Sequence, residues 1–292
     1  MLTLKAPAKI NLFLNVLGLR DDGFHKIQSL IQKVTLYDIL TIKPAEDFIL
    51  RTDPSISTRQ NLVYKAARLL KEICGVRRGA HIYLKKHIPI SSGLGGGSSD
   101  AAAALSGLNK LWGLNLSKGE LHDLALRLGS DVPFFLDGPL AFVEGRGEKI
   151  TALKMTRQLD ILLVKPHITV STAWAYSELS LQSSGLTKKD KKVDNIEFFI
   201  RGLKGTRLQL LKGRAILGSM FNNFSNDLEA PVVRRFPVIA DIKKRLLEEG
   251  AIFSMMSGSG STVFGVFSSK EEAYRASLAF KGFWTAMVRT II

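Results

Sequence analysis

Residues 2–17 alternate around an apolar run, Asn11-Leu12-Phe13-Leu14-Asn15-Val16-Leu17, which reads as a strand. Gly18 to Gly23 follows as a turn, His25–Gln32 reads as a short helix, and Val34–Ile42 as a strand ending near Pro44. Apolar positions three and four apart predict a helix over Asn61–Ile73, and a short strand, His81–Leu84, leads into a glycine-rich loop. Helices are expected over Ser98–Leu111 and Ser117–Leu128, the second opened by Ser117 with Glu120 as a capping box. Leu140–Val143 and Ile150–Leu153 suit a hairpin around Gly145 and Gly147. A new block starts near Gln158. It runs through a strand at Leu159–Val164, a helix at Thr172–Leu179, a lysine-rich loop, and helices near Asn195–Arg201 and Pro237–Glu249. A strand at Ala251–Met256, a glycine turn at Ser257–Ser261, a strand at Thr262–Phe267, a helix at Ser269–Phe280 and a strand at Trp284–Ile291 complete it. Strand and helix alternate without a fixed repeat, which predicts two lobes, residues 1–155 and 156–292, with ligands expected in the cleft between them.

Composition narrows the class. The 292 residues are 46% hydrophobic, enough for a full core, yet no apolar run reaches the length of a membrane span. The N-terminus lacks the pattern of a signal peptide, and the single cysteine, Cys74, excludes an intramolecular disulfide and reads as a buried thiol in a helix. A cytoplasmic protein away from membranes is the expectation. The net charge of +15 fits either nucleic acid or an anionic small molecule. Part of it is local to Lys188-Lys189-Asp190-Lys191-Lys192, which lacks interleaved aromatics for base stacking and reads as a solvated loop.

The chemistry begins at Pro89-Ile90-Ser91-Ser92-Gly93-Leu94-Gly95-Gly96-Gly97-Ser98-Ser99-Asp100, followed by an alanine-rich run with strong helix propensity. A glycine loop feeding a helix N-terminus presents free amides and the positive end of the helix dipole to an anion. No lysine follows these glycines as the Walker pattern requires, and Ser98 stands where a dinucleotide fingerprint needs its third glycine.

The loop resembles that of the GHMP kinases, a superfamily that includes galactokinase, homoserine kinase, mevalonate kinase and phosphomevalonate kinase. Two further segments carry the same resemblance: Ala6-Pro7-Ala8-Lys9-Ile10-Asn11-Leu12, and Met256-Ser257-Gly258-Ser259-Gly260-Ser261-Thr262. The resemblance implies an α+β, two-lobed fold, with a ribosomal-protein-like N-terminal lobe and a ferredoxin-like C-terminal lobe. It also implies ATP and Mg²⁺ as cofactors. Asp22-Gly23-Phe24-His25 and Leu128-Gly129-Ser130-Asp131-Val132-Pro133-Phe134-Phe135 point within the family to a kinase of isoprenoid precursor synthesis. The resemblance implies, as acceptor, the 2-hydroxyl of a cytidine diphosphate-linked methylerythritol. Mevalonate or homoserine as acceptor is the rival, and a basic RNA-binding protein the rival of another class; neither nucleic acid nor membrane is the expected partner.

Phosphoryl transfer to an alcohol needs a cradle for the triphosphate and a group to accept the hydroxyl proton. The resemblance assigns that base to Asp131, otherwise a capping aspartate, with the Phe134-Phe135-Leu136 run placed to wall it from water. Lys9 is its partner, an ammonium that steadies the developing alkoxide. Pro89, Gly93, Leu94, Gly95, Gly96, Gly97, Ser98 and Ser99 are expected around the phosphates, with Lys86 and Asn61 on the adenosine side; Asn61 fits equally well as the cap of its helix. On the acceptor side, Phe24 and Tyr176 are expected to sandwich the cytosine, His25 to bond its edge, Asn11 to orient the erythritol end and Thr172 to border the phosphates. Gly258, Ser259 and Gly260 are expected to support the site. Asp100 stays open between capping its helix and binding hydrated Mg²⁺, so no metal ligand is assigned. The five histidines and Cys74 show no zinc-ligand spacing.

Overall fold

The structure is a computed structural model that describes residues 1–54, 57–155, 157–183, 218, 221 and 224–292. The lysine-rich segment 184–194 and the helix expected over Asn195–Arg201 lie outside the described residues. Two compact units draw on separated stretches of chain. The first comprises Met1–Lys9, Leu36–Ile90 and Gly95–Gly138; the second comprises Ile10–Thr35, Ser91–Leu94 and Pro139–Ile292. The units are therefore threaded rather than consecutive halves. Strands β1 (Leu2–Leu19) and β2 (His25–Ala45), of 18 and 21 residues, are long enough to serve both.

In the first unit, the C-terminal part of β2 pairs antiparallel with β4 (Gly79–Lys85), Ile39 opposite Lys85, and β3 (Phe48–Asp53) runs parallel to β4. Helices α1 (Leu62–Cys74), α2 (Gly96–Trp112), α3 (Lys118–Leu128) and α4 (Val132–Leu136) complete it. Leu40, Ile42, Ile82 and Leu84 from the strands are buried with Ala66 and Leu70 of α1 and Ala101, Ala104, Leu105 and Leu108 of α2. The alanines of α2 keep its side chains short where α1 packs most extensively against it. Cys74, expected to be buried, is only half-buried at the end of α1 and packs on the edge of this core.

Local signals survive in detail. Asn61 caps α1 by accepting from the Val63 amide, and Gly75 ends that helix at a left-handed φ of 63°. The Ser117–Glu120 capping box is complete in both directions. Ser117→Ala should lower stability by about 1 kcal/mol, seen as a reduced thermal midpoint. An unchanged midpoint would show that this box contributes nothing.

In the second unit, the N-terminal part of β2 pairs with β5 (Leu140–Gly145), which pairs with β6 (Lys149–Leu153). A separate antiparallel sheet has the order β10-β7-β9-β8, from β7 (Asp160–Lys165), β8 (Phe253–Met256), β9 (Val263–Phe267) and β10 (Trp284–Arg289). Helices α5 (Thr172–Ser183), α6 (Glu229–Arg235), α7 (Val238–Glu248) and α8 (Lys270–Ser277) accompany it. Leu162, Val164, Val263 and Phe267 of the sheet share a core with Ile239, Ile242 and Leu246 of α7. Both units mix strand and helix in the α+β manner expected.

One expected element is overturned. His25–Gln32 is the beginning of β2, not a helix, with Ile27–Gln32 in register against Gly145–Leu140. Nearly every residue from Ile27 to Val34 is buried, so the segment shows no clean two-residue alternation. Short apolar runs of this kind do not distinguish strand from helix, and pairing with β5 decides the outcome. Strand β3 and helices α4 and α6 also escape the sequence reading.

Candidate active site

The first unit holds Lys9, Asp131 and the start of α2. Lys9 is 4% exposed near the middle of β1, and its Nζ lies 3.5 Å from Asp131 Oδ2. Asp131 occupies the N-cap position of α4 but makes no side-chain bond to that helix. It is therefore not a capping aspartate. Its side chain is 39% exposed, so the aromatic run that follows does not wall it from water as expected. Phe134 is buried in the α4 turn, while Phe135 reaches toward Gly95.

The helix expected from Ser98 begins at Gly96, with Gly95 as its cap at φ 67°. Three glycines are poor helix formers, which is why propensity places the start later. A Cβ on Gly95 would fall 2.9 Å from Lys9 Cγ and 3.0 Å from Phe135 Cζ, so this close approach of loop to lysine requires glycine. Because the Ser99 amide already bonds the Gly95 carbonyl, the amides of Gly96, Gly97 and Ser98 are the ones without an intrahelical acceptor. They lie at the positive end of the helix dipole, the arrangement that suits an anion. Ser98, Ser99 and Asp100 thus lie inside the first turns and do not cap. Ser99 is 1% exposed, and it lines a cavity of about 190 Å³ with Leu4, Pro7 and Phe135.

Two adenosine-side candidates are engaged with protein. Asn61 caps α1, as one of its two readings held. Lys86 Nζ lies between Asp38 and Asp100, contacting Oδ2 of each. Asp100 thereby pairs with a lysine and does not cap its helix. Its burial pushes the carboxyl up to about 7, against the opposing pull of Lys86. Pro89 is half-buried at the entry to the loop. Asp38 was not singled out from the sequence, although a lone carboxylate inside Leu36-Tyr37-Asp38-Ile39-Leu40 is an available signal.

The second unit gathers the remaining candidates. The Ser257 hydroxyl donates to the Gly93 carbonyl at 3.0 Å, and the Thr262 amide donates to the Ser92 carbonyl at 3.1 Å. The C-terminal glycine turn therefore buttresses the beginning of the glycine-rich loop. Leu94 is fully buried, and Gly258, Ser259 and Gly260 lie in a turn that is buried throughout. Asn226 holds this turn from behind, its amide donating to the carbonyls of Met256 and Gly258. Ser259 Oγ is 2.8 Å from Thr172 Oγ1 at the start of α5. Asn11 is 2% exposed; its side-chain amide donates to Ser29 Oγ, and its backbone amide to Ser257 Oγ.

The Tyr176 ring stacks on His25, with centroids 4.8 Å apart. Burial holds the His25 imidazole below its ordinary pKa, favouring the neutral ring. Phe24 is 47% exposed and carries the Arg146 guanidinium 5.0 Å from its ring centre. Arg146 was missed from the sequence. Its setting between Gly145 and Gly147, at the turn of the β5–β6 hairpin, marks only a turn. Beside it, Arg20 pairs with both Asp22 and Glu148, which fixes the Asp-Gly-Phe-His segment.

The model for the GHMP kinase N-terminal domain matches residues 61–139, and that for the C-terminal domain matches residues 209–286. A homoserine kinase structure from Cytophaga hutchinsonii shares the fold, with a TM-score of 0.71 over 99% of this chain and 94% of that one, at 21% identity. The fold and the two family models define a GHMP kinase. The 4-diphosphocytidyl-2-C-methyl-D-erythritol kinase of Thermodesulfovibrio yellowstonii is 43% identical over 100% of this chain and 99% of its own. A crystal structure of 4-(cytidine 5'-diphospho)-2C-methyl-D-erythritol kinase superposes with a TM-score of 0.80, at 31% identity, covering 99% of both chains. The chain belongs to the 4-diphosphocytidyl-2-C-methyl-D-erythritol kinase family of GHMP kinases.

Proposed function

We propose that the protein transfers the γ-phosphate of ATP to the 2-hydroxyl of 4-diphosphocytidyl-2-C-methyl-D-erythritol, giving the 2-phosphate and ADP on the way to isoprenoid precursors. The observation that carries this reading is the ion pair of Lys9 with Asp131, in the same unit as the glycine-capped start of α2. Asp131 takes the proton of the acceptor hydroxyl as its oxygen bonds to the γ-phosphorus, and the bond to the β-γ bridging oxygen breaks to release ADP. Lys9 Nζ steadies the charge that develops on the attacking oxygen. Amides of Gly96, Gly97 and Ser98 take up phosphate oxygens.

Among the described residues no group of three acidic, imidazole or thiol side chains could enclose a metal ion. Mg²⁺ in this reading would enter with the nucleotide and would supply charge neutralisation at its phosphates. No described helix is long and apolar enough to cross a membrane. We assign the reaction to the cytoplasm, whose reducing conditions suit a lone thiol.

The cytosine is taken up by the aromatic set of Phe24, His25 and Tyr176, and Thr172 borders the acceptor's phosphates. An ADP-release assay across alcohols tests this. Turnover is expected with the cytidylylated acceptor and not with methylerythritol alone, mevalonate or homoserine. Tyr176→Ala should raise KM for the acceptor by roughly 5- to 150-fold, the loss of one stacking face. Turnover of mevalonate in preference to the cytidylylated alcohol would refute the acceptor assignment.

A further inference from the structure

Three buried charges underlie the start of α2 and take no part in the transfer itself. Asp38 of β2 is fully buried, and its Oδ1 accepts the backbone amides of His87 at 2.5 Å and Ile88 at 2.8 Å. Its Oδ2 accepts from Lys86 Nζ, which also donates to Asp100 Oδ2 at 2.6 Å. Asp100 lies about one turn into α2, is 2% exposed, and its Oδ1 has no hydrogen-bond partner among the described residues. Gly96 closes the arrangement, since a Cβ there would sit 3.2 Å from Lys86 Nζ. The first turn of α2 therefore rests directly on the ammonium.

The charges do not balance. Two carboxylates share one ammonium, and the charged groups acting on Asp100 are Lys86 and Asp38. One surplus negative charge is buried just beneath amides that would receive a polyphosphate. A nucleotide there adds more negative charge facing the same ammonium, which disfavours the ionised form of the nearest titratable carboxyl. Asp100 is that group, because its second oxygen is bare whereas both oxygens of Asp38 are bonded.

We propose that the Asp38–Lys86–Asp100 triad positions the nucleotide loop, and that nucleotide binding is coupled to proton uptake by Asp100. The inference rests on the reading that residues Gly93–Ser99 hold the phosphates of ATP. Asp100 acts through Lys86 and the α2 backbone, as a positioning residue. The sign follows from linkage: a bound state that holds the proton more tightly loses affinity as pH rises through the carboxyl's range. With that carboxyl at about 7 before binding, a rise of one further unit gives uptake of about half a proton at pH 7.5.

Isothermal titration calorimetry with adenylyl imidodiphosphate and Mg²⁺, at pH 7.5 in buffers of different ionisation enthalpy, counts the protons. Comparing wild type with Asp100→Asn cancels the nucleotide's own ionisation. The wild type should take up about half a proton more than D100N, and its Kd should weaken by up to about tenfold relative to D100N between pH 6 and 9. Asp38→Asn, which leaves one carboxylate for one ammonium, should also reduce the uptake, and it serves as the second test should D100N fail to fold. Equal proton counts in wild type and the folded variants would overturn the coupling while leaving nucleotide binding intact. Absence of analogue binding to the wild type would overturn the phosphate-loop reading and this inference with it.

Discussion

Asp131→Asn should lower kcat by about 10²–10⁴-fold while leaving nucleotide affinity and thermal stability close to wild type. The expectation follows from where the side chain stands. Asp131 is 39% exposed and makes no capping bond, so the amide loses little structurally. On the proposed reading, what disappears is the acceptor for the hydroxyl proton, beside Lys9, which is 4% exposed. Single-turnover kinetics with saturating ATP separate this from a binding defect, because the loss should remain when both substrates are bound. Full turnover in D131N would remove Asp131 as the base. A parallel fall in thermal midpoint would mean that the carboxylate holds the fold instead.

Gly93→Ala should be the most disruptive single change in the phosphate loop. The residue adopts φ 77°, and a Cβ there would lie 2.1 Å from the Ser257 carbonyl oxygen and 3.0 Å from the Gly260 amide nitrogen. Neither neighbour is a flexible side-chain tip. Both are backbone of a turn that Asn226 and Ser257 already pin. Left-handed strain and overpacking together cost about 2–5 kcal/mol. The contrast is Gly97→Ala in the same loop. Gly97 is exposed, its nearest contact would be Leu62 Cδ1 at 3.7 Å, and alanine favours the helix it begins. Denaturant unfolding should place G93A well below wild type and G97A near it. Equal stabilities would show that the two glycine motifs do not brace each other.

Much of the fold was legible because local signals and final structure agree. The Asn61 cap, the Ser117–Glu120 box, the amphipathic spacing of α1 and the hairpin around Gly145 and Gly147 are all read from neighbours a few residues apart. The signal failed where distant pairing decides. At Ile27–Gln32 burial on both faces erases alternation, and only the register with β5 makes a strand. At Gly95–Gly97 propensity opposes the helix, and packing on Lys9, Phe135 and Ile88 imposes it. The threading of β1 and β2 through both compact units has no local signature at all.

The site was legible as a set of residue types and less so as contacts. Lys9 with Asp131, the C-terminal glycine turn with Gly93, and His25 with Tyr176 are brought together across long sequence separations. Lys86, expected on the adenosine side, pairs with two carboxylates, and Asn11, expected at the erythritol end, donates to Ser29. Arg146 gains its ring partner only after folding, whereas Asp38 carried a signal, a lone carboxylate in an apolar strand, that does not say what it meets. A buried carboxylate pair around Lys86 requires three segments to meet, and sequence spacing does not encode that meeting.

The most direct test is phosphorus NMR of the product formed from ATP and 4-diphosphocytidyl-2-C-methyl-D-erythritol by the purified protein. The 2-hydroxyl sits on a carbon that bears a methyl group and no hydrogen, so a phosphomonoester there has no proton three bonds from phosphorus. A new monoester singlet without proton splitting, appearing in step with ADP, is the predicted result. A doublet or triplet would place the phosphate on another hydroxyl, and no new monoester would contradict the account at its centre.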